Sequence, residues 1–306
     1  MRKILIIGFG SIGQKHLKVI SNDEENYEIA ILSSQNINSN NFHVFHVIDD
    51  ALRFNPDIVI ICSPSPTHLS YIELFKSKKI LVEKPLSIGT PNEHLPQLSN
   101  LDLMVGYNLR FNETLKYFIN IIQQIGLDDI IRINICCSTF LPNWRSRGYQ
   151  SSVSAQKKLG GGVINELSHE LNYLIWILGD IPDIKYVRFS KESSLDIDVE
   201  DYAEMLLEYK GINCSLILDF SSHIEKREIV VKTEKLTYKW NGLDNSVSKI
   251  TPKDSSELKR IPNATVESYK NQWNFFKNAS AFELQKELKQ AILTHDLITY
   301  VKSYKS

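Results

Sequence analysis

A chain of 306 residues exceeds the usual size of a single hydrophobic core, so two domains are expected, with interior enough to need no covalent staples. Hydrophobic residues make up 42% and charged residues 23%, which excludes a disordered or collagen-like chain. The 35 basic side chains are matched by 36 acidic ones, so there is no broad positive field to draw nucleic acid or an anionic membrane, and a small molecule is the expected partner.

The chain opens on two basic residues and an apolar run, as a secretory leader would, but the run stops after Ile7 at Gly8 and is too short for one. Nothing later reaches the ~18 apolar residues of a membrane span. The expected setting is therefore the cytoplasm. Cys62, Cys136, Cys137 and Cys214 lie in apolar stretches with no CxxC pair and no histidines at ligand spacing. They read as small core hydrophobes in a reducing compartment, and no metal site is expected.

In chain order, the first 120 residues alternate short apolar runs with helical patterns. Strands are expected at Ile4 to Ile7, Tyr27 to Leu32, Asp57 to Cys62, Ile80 to Val82 and Leu103 to Val105, with helices at Ile12 to Ile20 and His68 to Ser77. Such alternation means parallel strands joined by crossover helices, with ligands at the carboxyl ends of the strands. After a helix from about Asn112 to Ile125 the pattern changes near Asp128. Strands follow at 129–139, 184–190, 200–209, 212–221, 226–233 and 235–240, and short links such as Lys210-Gly211 imply antiparallel hairpins. One helix, Gly162 to Leu178, interrupts them, and helices close the chain at about 265–279 and 283–303. The polar stretch from Asn241 to Glu257 reads as a mobile loop. The fold expected is thus an α/β Rossmann domain over residues 1–120, then an α+β domain over 121–306 with an open, mainly antiparallel sheet. One face of that sheet would pack on the 162–178 helix and leave the other for self-association.

Gly8-Phe9-Gly10-Ser11-Ile12-Gly13 is a G-x-G-x-x-G that follows an apolar strand and opens a helix. The first glycine permits the tight turn, the second lets backbone approach a pyrophosphate, and the third lets helix pack closely on strand. The helix N-terminus then offers N–H groups and a favourable dipole to the phosphates. An acid about 20 residues on would hold the ribose hydroxyls of NAD; that place reads Leu32-Ser33-Ser34-Gln35. With no carboxylate to repel a 2′-phosphate and no arginine to pair with one, Ser33 and Ser34 lean the NAD(P) choice slightly to NADP.

Three more loops leave strand ends: Cys62-Ser63-Pro64-Ser65-Pro66-Thr67-His68, Glu83-Lys84-Pro85 and Gly106-Tyr107-Asn108-Leu109-Arg110-Phe111. Together with Gly160-Gly161-Gly162 and His169 downstream, their order and spacing resemble the glucose-fructose oxidoreductase, inositol dehydrogenase and rhizopine catabolism (Gfo/Idh/MocA) family over nearly the whole chain. The resemblance implies hydride transfer between a nicotinamide cofactor and a carbinol carbon of a sugar, cyclitol or nucleotide sugar. It implies cofactor contacts at Gly8, Gly10, Ser11, Ile12, Gly13, Ser33, Ser34, Ser63, Pro64, His68, Glu83 and Lys84. Lys84 matches the family lysine, whose ammonium stabilises charge developing on the reacting oxygen. A cis Lys84-Pro85 peptide is common in relatives. His169 matches the family base, an imidazole being suited to taking a hydroxyl proton near neutral pH.

Relatives commonly carry an aspartate a helical turn before that histidine and another three residues after it. Here Asn165 and Glu166 stand before it and Asn172 after it. Glu166 is the remaining acid that could orient His169, and Asn172 can only hydrogen-bond. Substrate contacts are expected from Asn108, Arg110, Asn165, Asn172, and from Trp144 and Arg145 in Leu141-Pro142-Asn143-Trp144-Arg145-Ser146-Arg147, where an aromatic face and a guanidinium suit a sugar ring and its anionic group. That segment resembles a branch associated with bacterial surface-polysaccharide biosynthesis. Association into homo-oligomers through the C-terminal sheet is a further family expectation. The rival reading is a non-catalytic dinucleotide-binding regulator or scaffold, supported by the two missing aspartates; a lyase or epimerase-like reaction with recycled cofactor is a third.

Overall fold

The computed structural model describes residues 1–89, 95–144 and 148–304. By internal packing the chain forms two compact units, neither continuous in sequence. The first comprises Met1–Tyr107 and Tyr269–Ile292, the second Asn108–Ser268 and the chain from Leu293 onward.

The first unit is built on β1 (Arg2–Ile7), β2 (Tyr27–Leu32), β3 (His43–Phe45), β4 (Ile58–Ile61), β5 (Lys79–Val82) and β6 (Leu103–Val105), with helices α1 (Ser11–Ser21), α2 (Ile48–Phe54) and α3 (His68–Leu74) between them. Its sheet runs β3-β2-β1-β4-β5-β6 and every pairing is parallel. Near-continuous Ile, Leu and Val runs in β1 and β4 are buried throughout, as a parallel sheet covered on both faces requires. Two short elements, β3 and α2, were not expected from the sequence.

The chain returns to this unit at its end, which the 1–120 boundary did not foresee. Helix α7 (Ala264–Asn278) carries Lys277, whose Nζ donates to Asp23 Oδ1 at 2.7 Å, and Trp273, whose indole N–H also donates to Asp23. Lys79 Nζ donates to the Ala279 carbonyl at 2.8 Å, and Leu288 and Ala291 of α8 (Ala281–Ser303) join the apolar core.

The second unit starts with α4 (Glu113–Ile125), which a boundary at 120 would cut. Asn112 caps it: Asn112 Oδ1 accepts from the N–H groups of Thr114 and Leu115 at 3.0 and 3.1 Å. The strands are β7 (Ile130–Phe140), β8 (Asp183–Ser190), β9 (Tyr202–Tyr209), β10 (Ile212–Asp219), β11 (Ser221–Thr233), β12 (Thr237–Asn241), β13 (Ser246–Ile250) and β14 (Ser255–Arg260). They form one eight-stranded sheet in the order β14-β13-β12-β11-β7-β10-β9-β8, antiparallel except for β7 beside β10. The open, mainly antiparallel sheet is therefore present.

Two expectations for this unit are corrected. The stretch 241–257 is not a loop; it supplies most of the β13–β14 hairpin at the sheet edge, where β14 is largely exposed and so reads as polar. The single 162–178 helix is two, α5 (Val163–Glu166) and α6 (His169–Leu178), broken at Leu167-Ser168. Leu171, Leu174, Ile175 and Leu178 of α6 share one core with Ile133, Ile135, Met205, Leu216 and Ile229 of the sheet.

Candidate functional site

In the first unit, Gly8 ends β1 at φ +89° and its N–H donates to the Leu32 carbonyl at 2.9 Å. A Cβ on Gly8 would stand 2.8 Å from the backbone of Cys62 and Ser63, and one on Gly13 would stand 2.3 Å from the Gly8 carbonyl oxygen. Both glycines are therefore demanded by protein packed against protein. A Cβ on Gly10, by contrast, would meet nothing within 4 Å. Gly10 caps α1 with no side-chain hydrogen bond, and Ser11, Ile12 and Gly13 form the first turn. An open helix start with no side-chain cap hydrogen bond, behind a close-packed glycine turn, fits the pyrophosphate of a dinucleotide.

At the end of β2, Ser33 is buried; its N–H donates to the Phe45 carbonyl and its Oγ accepts from Gln35 N–H at 3.1 Å. Ser34 is exposed, so it is the serine presented to solvent at the expected ribose position.

The loop after β4 is self-braced. Ser63 Oγ lies 2.7 Å from Thr67 Oγ1, which donates to the Pro64 carbonyl at 2.8 Å. His68 is buried, with Nε2 at 2.9 Å from the Ser63 carbonyl and Nδ1 at 3.0 Å from that of Pro85. Its ring links two strand-end loops and is turned inward, where sequence reading placed it on the cofactor. Burial pushes His68 below its ordinary pKa, outweighing the two carbonyls and Glu83, which act the other way.

Glu83 follows β5, is buried, and its Oε1 lies 2.8 Å from Nε2 of His16 on α1. Lys84 is half-buried and its peptide to Pro85 is cis. His16 was not singled out in the sequence; its only signal was its place shortly after the glycine loop.

In the second unit, Asn108 Nδ2 donates to Ser268 Oγ at 2.7 Å, and the Arg110 guanidinium lies 4.4 Å over the Trp176 ring. His169 is the first residue of α6 and is buried. Asn165 Nδ2 donates to the carbonyls of Gly160 and Gly161 at 3.0 and 3.2 Å, so it braces the glycine-rich turn. Glu166 accepts from Ser154 Oγ at 2.8 Å. Asn172 Nδ2 donates to Thr294 Oγ1 at 2.9 Å inside the core. The helix is interrupted at Leu167-Ser168, between Asn165 and Glu166 on one side and His169 on the other.

A cavity of about 580 Å³ opens in this unit beside that break, lined by Leu167, Trp144, Arg227, Asp244, Asn263 and Thr265 among others. Of the expected substrate contacts, Trp144 lines it and Asn108, Arg110, Asn165 and Asn172 do not; Arg145 lies outside the described residues. Behind the cavity wall, Arg227 Nε donates to Glu170 Oε1 at 2.9 Å, and Tyr173 OH donates to the same oxygen at 2.9 Å. Sequence reading missed this group, whose members lie 57 residues apart.

Among the described residues no cluster of three or more His, Cys, Asp or Glu side chains could hold a metal ion, and no helix is long and apolar enough to cross a membrane.

Comparison with known proteins follows the same division. Residues 2–105 match the model of an oxidoreductase family with an NAD-binding Rossmann fold, and residues 120–239 match the GFO/IDH/MocA C-terminal domain. Inositol 2-dehydrogenase of Salmonella typhimurium is 22% identical over 229 residues, 68% of this chain and 64% of that protein, so the match leaves about a third of the relative's length unspanned. Among solved structures, the WlbA dehydrogenase from Bordetella pertussis in complex with NADH and UDP-GlcNAcA aligns at a TM-score of 0.74 and 17% identity, covering 98% of this chain and 94% of that one. A 3-ketoreductase from Actinomadura kijaniata in complex with TDP-benzene and NADP aligns at 0.78 and 15% identity, covering 99% and 97%. At these identities the structural likeness establishes the fold.

Proposed function

This chain belongs to the GFO/IDH/MocA oxidoreductase family, and from that premise we propose that it transfers hydride between a nicotinamide cofactor and a carbinol carbon of a sugar-type substrate. The observation that carries the reading is the open helix start at Gly10, just beyond β1 of the same parallel sheet in which β5 is followed closely by the half-buried Lys84. The glycine turn and the first turn of α1 would hold the pyrophosphate, and Ser34 the adenosine ribose. A bound nicotinamide supplies the hydride acceptor or donor.

The remaining roles fall to the chain's own groups. His169 takes the substrate hydroxyl proton in oxidation and returns it in reduction. Lys84 donates to the reacting oxygen and stabilises the negative charge that develops there. Glu166, tied to Ser154, is the candidate acid to steady His169, since the adjacent Glu170 is taken by Arg227. NADP(H) is expected to serve at least as well as NAD(H), because no carboxylate at 33–35 opposes a 2′-phosphate. One relative is an inositol 2-dehydrogenase and another structure holds the nucleotide sugar UDP-GlcNAcA, and a substrate from those classes is proposed here. The cytoplasm is the proposed location.

A non-catalytic dinucleotide-binding role is the second reading. It is favoured by Asn172, which stands where the family resemblance implies an aspartate, and by Asn165, one of the two candidates for the other; both amides are committed to structural hydrogen bonds. Purified protein assayed against inositols, free sugars and nucleotide sugars, following the absorbance of reduced nicotinamide, separates the two. Turnover of any of them supports the enzyme; cofactor binding with no turnover across the panel supports the regulator.

A further inference from the structure

Arg227 sits on β11 beyond a register shift between Ser221 and Lys226, opposite Cys137 of β7. Its partner Glu170 is fully buried as the second residue of α6, while the Arg227 side chain keeps 23% of its surface exposed and lines the cavity. The stem is confined as well: a Cβ on Gly242 would stand 2.9 Å from Arg227 Cγ and 2.6 Å from the Trp240 ring. Glu170, itself held by Tyr173, thus fixes the guanidinium through Nε, and the partly exposed Arg227 side chain is a fixed part of the cavity wall. Buried ion pairs are often no more stabilising than apolar residues of the same volume. Stability alone is therefore a weak reason for this one, whereas a guanidinium held in one plane is what recognition of paired oxygens needs.

Trp144 is fixed in the same manner. Its indole N–H donates to Thr139 Oγ1 at 2.8 Å and its ring meets Phe220 edge-on at 5.2 Å, so it too reaches the cavity as a rigid wall. Charge on the described lining is balanced: Lys226 and Arg227 stand against Glu225 and Asp244, with Glu170 behind Arg227 and Arg260 3.2 Å from Asp244. Arg227 is already paired with Glu170, so a nucleoside diphosphate would meet a guanidinium whose charge is largely answered. An uncharged polyhydroxylated ring asks only for directed donors and an aromatic face.

We infer that this cavity takes a free sugar or cyclitol ring, stacked on Trp144, and that Arg227 is the specificity-determining residue that donates to its neighbouring hydroxyls. The inference rests on the oxidoreductase reading only in making that ring the substrate.

The test is equilibrium binding to the full chain, by calorimetry, of myo-inositol, D-glucose and UDP-glucose, the last two sharing a ring with and without a nucleotide diphosphate. The variants are Arg227→Met combined with Glu170→Gln, which removes both buried charges together, and Trp144→Ala as an independent probe that leaves the ion pair intact. In the wild type a free ring should bind, at least as tightly as UDP-glucose and with little change in salt. The double variant should keep the wild-type melting temperature and NADH affinity while binding of the ring weakens about tenfold or more, and Trp144→Ala should weaken it likewise. A purely structural pair would instead leave ring affinity unchanged in the double variant. That result overturns the inference, as does an unchanged affinity in Trp144→Ala, a strong salt-dependent preference for UDP-glucose, or no binding of either free ring to the wild type. Should the double variant fail to fold, the Trp144→Ala and UDP-glucose comparisons decide. Ring binding through Arg227 without hydride transfer would sink the enzyme reading and leave this inference standing; turnover indifferent to Arg227 would do the reverse.

Discussion

His16 on α1 and Glu83 at the end of β5 meet at 2.8 Å inside the first unit, joining the helix that follows the glycine turn to the residue that precedes Lys84. Nδ1 of His16 is buried without a hydrogen-bond partner, so the ring donates from Nε2 and Glu83 accepts. A Cβ on Gly106 would stand 2.9 Å from Glu83 Oε1, so the carboxylate is walled in on a second side. A hydrogen bond to a charged group is worth ~1.5–3 kcal/mol, and a carboxylate buried without its donor costs more than the bond alone.

The first prediction follows from that bond. His16→Leu should lower kcat by about tenfold or more through a misplaced Lys84, with NADH affinity changed far less, because the glycine turn is untouched. His16→Gln, which restores an N–H donor, should recover most of the loss. Equal losses in both variants, or a loss confined to cofactor binding, would show that the pair does not position the lysine.

His68 gives a pH-dependent stability with a definite sign. Its folded pKa lies below the ordinary 6.5, so the unfolded chain binds the proton more readily. The contribution is complete above about pH 6.5 and is lost as pH falls from there toward the lowered folded value. Urea denaturation at several pH values between 5 and 8 should therefore show a smaller acid-side loss in His68→Asn than in the wild type, although the variant is less stable throughout. Parallel curves for the two proteins would place the titration elsewhere.

Much of this was legible in the sequence, and for local reasons. A strand, a glycine turn and a helix are contiguous, so the cofactor end of the first unit could be read from one short segment. β3 has three residues and α2 seven, too few to show a period. The return of α7 to the first unit depends on Lys277 and Trp273 meeting Asp23, about 250 residues away, which no window detects. The break at Leu167-Ser168 is equally silent, since both residues are compatible with a helix; Val163 N–H donates to the Glu200 carbonyl there, so tertiary contact sets where α5 begins. Glu170 was not singled out, because its partner Arg227 lies 57 residues away on a distant strand.

On the cofactor, Ser34 is the exposed side chain where an acid would otherwise exclude a 2′-phosphate. Calorimetric titration should find NADP(H) bound at least as well as NAD(H), and Ser34→Asp should shift the balance toward NAD(H). A wild-type preference for NAD(H) beyond about tenfold, equal to ~1.4 kcal/mol, would end the argument.

The outer face of the second sheet carries Tyr186, Leu206 and Ile217, exposed at 37%, 46% and 39%, on the adjacent strands β8, β9 and β10. Tyr186 pairs directly with Leu206 across the strands, so the two form part of one apolar surface. Self-association through this face is proposed, because a patch of that kind is costly in water. Sedimentation velocity at micromolar concentration should show an oligomer that Leu206→Arg converts to monomer. A wild-type monomer, or an oligomer indifferent to the substitution, counts against it.

The last prediction concerns the proton. His169 opens α6 directly after the helix break, and its neighbours in sequence are spoken for: Asn165 by the glycine turn, Glu170 by Arg227, Asn172 by Thr294. If His169 takes the hydroxyl proton, His169→Ala should lower kcat by about 10²- to 10⁴-fold while cofactor affinity barely changes. Lys84→Ala should also depress turnover, since charge on the reacting oxygen loses its stabilising donor. Glu166→Gln should cost less than either if the carboxylate only steadies the imidazole. Asn165→Ala should act differently again: it frees two glycine carbonyls, so its loss should appear in the melting temperature before it appears in the pH profile. Turnover of the best substrate at several pH values decides among these. Near-normal rates in His169→Ala with an unshifted profile would mean that another group is the base, and that the family's assignment of this histidine does not carry over to this chain.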